Sequence, residues 1–119
     1  GELLDKISIL EIKQEKIKDP NKLKFIKDEY SILKDQLDTN VKSTSEINEL
    51  YKSLKEINSK LWVIEDDKRL CEKEKKFDEK FIKLSRDVHF LNDERARVKL
   101  EINTLMNSNI KEIKEYTDY

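Results

Sequence analysis

Gly1 and Pro20 are the only glycine and the only proline in 119 residues, and that scarcity limits what the chain can fold into. Tight hairpin turns, phosphate-cradling loops and dinucleotide fingerprints all need glycine at positive φ or at points of close backbone approach. Sheet folds lose their turns, and long helices with few interruptions remain. Charged residues reach 43% and apolar ones 36%, a balance that can signal disorder; here 25 basic and 26 acidic residues nearly cancel and the apolar positions recur at helical spacing. A chain of this length fits one domain, residues 1–119, with one core.

Residues 2–18 read as a first helix, with Leu3, Leu4, Ile7, Leu10 and Ile17 on one face and Ile9 and Ile12 on another, so this helix requires two apolar neighbours. Asp19-Pro20 interrupts it. Leu23, Ile26, Tyr30, Leu33 and Leu37 then form a second stripe. No glycine is present for a reversal, and Lys22, Lys24 and Lys27 suit a free helix N-terminus poorly, so the reading is one rod kinked at Pro20. A reversal at Asp19-Pro20, giving four helices, is the alternative.

Thr39 to Ser45 reads as a loop, ending in a Ser43-x-x-Glu46 capping box. Ile47, Leu50, Leu54, Ile57, Leu61, Ile64, Lys68 and Cys71 then alternate steps of three and four, as do Phe81, Leu84, Val88, Leu91, Arg95, Val98, Ile102 and Leu105. Between them Phe77-Asp78 supplies a staple, with Phe77 against Ile82, and a cap. Ile110, Ile113 and Tyr116 continue the helical spacing, in a segment expected to dock weakly or fray. The expected fold is therefore all-α, an antiparallel bundle of three long helices.

A hairpin turning near residue 76 or 77 sets Ile64 against Val88, Leu61 against Leu91 and Ile57 against Arg95. Arg95 then interrupts an apolar seam and needs an acid or an exit to solvent. A partly polar stripe of Tyr51, Asn58, Trp62, Glu65 and Arg69 runs beside the seam. Its flank on the last helix holds Ser85, His89, Asn92 and Ala96. Trp62, Glu65, His89, Asn92 and Arg95 are thus expected to meet at mid-bundle, with Glu65 the candidate partner of Arg95. Such a cluster reads first as a device that fixes helix register.

Glu65, Asp66 and Asp93 are the carboxylates with some prospect of holding a metal, although neighbouring positions on a helix diverge by about 100°. The Glu-x-x-His pairs of di-iron bundles are absent. His89 has no nucleophile at a recognisable spacing, and Cys71 reads as a small core residue. No cofactor is implied. The longest apolar run, Leu61 to Ile64, excludes a membrane helix, and a net charge of −1 argues against nucleic acid, for which the lysines from Lys13 to Lys27 are the one candidate stretch. A single cysteine fits a reducing compartment such as the cytoplasm.

The opening Gly1-Glu2-Leu3-Leu4-Asp5-Lys6-Ile7-Ser8-Ile9-Leu10-Glu11-Ile12-Lys13, together with Lys18-Asp19-Pro20 and Lys22-Leu23, Leu61-Trp62-x-Ile64-Glu65-Asp66-Asp67 and Asn92-Asp93-x-Arg95-Ala96, resembles an uncharacterised family of short helical bacterial and phage proteins. The resemblance spans most of the chain. It implies a bacterial or phage cytoplasm, sometimes beside surface-sugar genes, and a few residues preceding Gly1. It implies no activity.

The function expected on these grounds is a helical protein-interaction or assembly module that self-associates, with Ile9 and Ile12 as the candidate contact surface. The alternative is a metal-dependent enzyme acting on nucleotides or sugar phosphates through Glu65, Asp66 and Asp93. The balance is against an enzyme.

Overall fold

The structure, a computed structural model, describes the backbone of residues 1–41 and 43–117 and the side chains of residues 1–41 and 43–107. Among the described residues there are four helices and no strand: α1 (Glu2–Lys16), α2 (Pro20–Asn40), α3 (Ser45–Glu74) and α4 (Glu79–Thr117). None is long and apolar enough to cross a membrane.

The chain reverses at Asp19-Pro20 instead of kinking, which overturns the three-rod expectation in favour of the four-helix alternative. Ile17 and Asp19 both adopt extended backbone, so helical hydrogen bonding stops for a full loop. The Asp19 carboxylate then accepts from the Asn21 amide at 3.0 Å, with Pro20 in the first turn. That carboxylate caps the free amides despite the lysines that follow. α2 packs back along α1, bringing the Tyr30 hydroxyl to Glu11 at 3.4 Å.

α1 is consequently the inner layer, with α2 on one side and α3 on the other. Leu4, Ile7, Leu10 and Ile12 are all buried within the chain, and Ile9, on the second apolar face with Ile12, is half-buried. α2 buries none of its residues fully, as an outer layer should. At the start of α3 the cap is Thr44, accepting from the Ile47 amide at 3.2 Å; Ser43, the expected cap, instead donates to Asn48.

α3 and α4 form the expected antiparallel hairpin. Its turn lacks glycine, and Lys75 takes the left-handed conformation (φ 54°) that closes the helix end, with Lys76 N–H bonded to the Cys71 carbonyl at 2.9 Å. Asp78 receives the Phe81 amide at the start of α4, and Phe77 meets Phe81 edge to face, centroids 5.1 Å apart. Leu4, Ile47, Leu54, Ile57, Leu61, Val98 and Ile102 make the core. α4 runs unbroken to Thr117; the docking of Ile110, Ile113 and Tyr116 lies outside the described side chains.

Candidate functional site

The polar centre of the bundle is Asp5, which α1 carries into the interior on a stripe of its own: Gly1, Asp5, Ser8 and Ile12 step by four, three and four. Only 2% of Asp5 is exposed. Its carboxylate receives Asn58 Nδ2 from α3 at 2.9 Å and Arg95 Nε from α4 at 2.9 Å, with Arg95 Nη2 bonded to the second oxygen. Lys99 stands 3.8 Å away, and Asn58 also donates to the Ser8 hydroxyl at 2.8 Å, which donates in turn to the Asp5 carbonyl. Three helices are thus tied by one carboxylate.

Burial by itself would discourage ionisation of Asp5. The hydrogen bonds from Arg95 and Asn58 and the charges of Arg95 and Lys99 outweigh it and hold the carboxyl below the usual carboxylate range. The Asp5 bonds raise the Arg95 guanidinium above its ordinary value. The arrangement is a hydrogen-bonded ion pair in which each carboxylate oxygen has at least one donor from another helix. Gly1 lies against α4 so closely that a Cβ there would fall 2.7 Å from the Lys99 carbonyl oxygen. Only glycine permits that approach.

Of the cluster expected at mid-bundle, Trp62, Glu65, Asn92 and Arg95 do line one cleft, together with Asn58, Arg69 and the α1 residues Ile9 and Ile12. Its volume is about 330 Å³. His89 is not part of it: the imidazole lies on the outside of α4, 3.6 Å from Asp93 one turn on. Arg95 pairs with Asp5 and not with Glu65, because α1 supplies a nearer carboxylate than α3. Ile12 is 1% exposed, which removes it as a contact for another molecule, and Ile9 is half-buried at the cleft edge.

Glu65, Asp66 and Asp93 are not brought together. Asp66 bonds Arg69 at 3.1 Å on the surface, Asp93 faces His89, and Glu65 lines the cleft. Among the described residues no three His, Cys, Asp or Glu side chains converge as a metal site.

A second polar group joins α1, α2 and α3. Lys55 reaches Glu11 at 3.0 Å and Glu15 at 3.1 Å, the Tyr30 hydroxyl of α2 donates to Glu11, and the Tyr51 hydroxyl is buried near the same carboxylate but outside good hydrogen-bond geometry. Desolvation, then Glu11, pushes the Tyr51 phenol far above its ordinary value. Sequence reasoning missed Asp5, Ser8 and Lys99, although Asp5 and Ser8 at three-four spacing from the buried Ile12 were the available signal.

These features define an all-helical protein, four helices deep in sequence and latched at its centre by a buried carboxylate. The chain belongs to a family of unknown function, DUF6165, whose family model matches residues 1–118. No curated protein matches it, and no solved structure does.

Proposed function

We propose that the chain is a helical protein-interaction module that docks through the face of the α3–α4 hairpin turned away from α1. The observation that carries this reading is a groove of about 650 Å³ lined by Val63, Ile64, Phe90 and Leu91, to which neither α1 nor α2 contributes. Phe90 and Val63 are 54% and 49% exposed beside it, and Ile82, 56% exposed, adjoins Phe90 along α4. Contiguous apolar surface of this kind on a small chain marks a contact site, whereas the isolated exposed side chains Phe25 and Ile32 of α2 are ordinary.

The occupant best suited to such a face is another amphipathic helical surface. A reducing, cytoplasmic setting accords with the single buried thiol of Cys71. The reading requires that the face be dispensable to the chain's own fold. Phe90→Gln and Val63→Gln, melted at low concentration, should keep wild-type helicity and lie within about 0.5 kcal/mol of wild type, as surface changes do. Loss of folding in both would make the face part of the chain's own core and defeat the proposal.

A further inference from the structure

We infer that the occupant of this face is a second copy of the chain, related by a two-fold axis so that the two α3–α4 hairpins form a four-helix bundle. The inference rests on the interaction-module reading above and names its partner. Two-helix hairpins packed face to face are a standard way to close a four-helix core, and three properties of this face suit it to itself.

The first is shape. Phe90 borders the groove it would fill: it lines the α3–α4 groove with Val63, Ile64 and Leu91, and also the adjoining hollows beside Phe81, Ile82 and His89. A projecting ring next to an apolar hollow is self-complementary under a two-fold rotation, each Phe90 entering the groove of the other copy. An isologous contact requires that the same patch present both parts.

The second is charge. The rim carries Glu56, Lys60 and Asp87, and the adjoining strip of α4 carries Glu79, Lys83 and Arg86, three acids and three bases. A strip of balanced sign meets its own copy without net repulsion. A strongly acidic or basic partner, nucleic acid included, would find no opposing field here.

The third is area. From Glu56 to Glu74 the α3 side of the face is about 27 Å long at 1.5 Å per residue, and two helices are roughly 20 Å across. That gives at most roughly 500 Å² per copy and about 1,000 Å² in all, below the roughly 1,200 Å² of stable specific interfaces and in the range of weak ones. A concentration-dependent dimer is the expected result, weaker than an obligate one.

Sedimentation equilibrium on the full chain, from low to high micromolar, tests this. The wild type should fit a monomer–dimer equilibrium, and Phe90→Gln should weaken it by about 30-fold or more, the effect of losing a central aromatic anchor. Val63→Gln should weaken it less, and Ile9→Gln should leave it unchanged. A wild-type monomer at every concentration, with Phe90→Gln still folded, would overturn the second-copy partner and leave the docking reading standing. An open series of larger species would overturn the two-fold pairing. Unfolding of both glutamine variants would overturn the reading and the inference together.

Discussion

Along the α3–α4 hairpin, Leu54 and Ile102 are wholly buried, whereas Val63, Ile82 and Phe90 on the same two helices leave about half of their surface open. The two halves carry the same three-four seams, on which Leu54 and Ile102 sit, while Val63, Ile82 and Phe90 flank them. The halves differ in what lies against them: α1, backed by α2, covers the first half and crosses to α4 through Asp5, while the half nearer the turn has only its own partner helix. A two-helix contact buries one stripe of each helix and leaves the flanks wet. In the half that α1 does not cover, the positions flanking the seams are left available to a second molecule.

The largest effects belong in the covered half. Asp5→Ala leaves Arg95 partly buried without its carboxylate and should cost about 3–5 kcal/mol in a denaturant titration. Leu54→Ala should cost about 2–5 kcal/mol through the cavity it opens. Replacing both members of the pair, Asp5→Leu with Arg95→Met, should recover most of the Asp5→Ala loss, since the cost arises from the orphaned charge. Failure of the double variant to recover would mean that the pair does more than latch the helices.

Acid should act through the same half. Asp5 and Glu11 are both held below their ordinary values of 3.8 and 4.5, so the unfolded chain takes up protons first as the pH falls. Their contribution is complete at neutral pH. It begins to fade below about pH 4.5 and is lost progressively down through the folded-state values. Thermal melts from pH 7 to pH 3 should show that decline, and Asp5→Asn should flatten it.

At the turn, Lys75→Gly should stabilise the chain by about 1 kcal/mol, because a non-glycine residue pays that much to sit at φ 54°. Smallest of all, Glu65→Gln and His89→Gln should change stability by less than about 0.5 kcal/mol. A large loss at His89 would place the imidazole in the central cluster after all.

The hairpin was legible from its periodicity: Ile47 to Cys71 and Phe81 to Leu105 fall on the seams that the structure packs together. So was the double requirement of α1, whose Leu4 and Ile12 are buried and whose Ile9 is half-covered. Its second neighbour was hidden, because the reversal at Asp19-Pro20 uses an aspartate cap and two extended residues and needs no glycine. That same hidden turn placed α1 in the interior, and with it Asp5, which looks like an ordinary acid in the first turn of a helix. Arg95 was recognisable as a cation interrupting the apolar seam, in need of an acid or an exit to solvent. Periodicity within a hairpin points to Glu65 as its partner, because it fixes neighbours on α3 and α4 but says nothing about which residues a third helix brings.

The division between a self-sufficient half and an open half is tested most directly by hydrogen exchange read along α3 and α4 at two protein concentrations. Amides around Leu54, Asn58, Val98 and Ile102 should be protected equally at both, and those around Val63 and from Ile82 to Phe90 should gain protection as concentration rises. Equal protection of the second group at both concentrations, matching the first, would contradict the account.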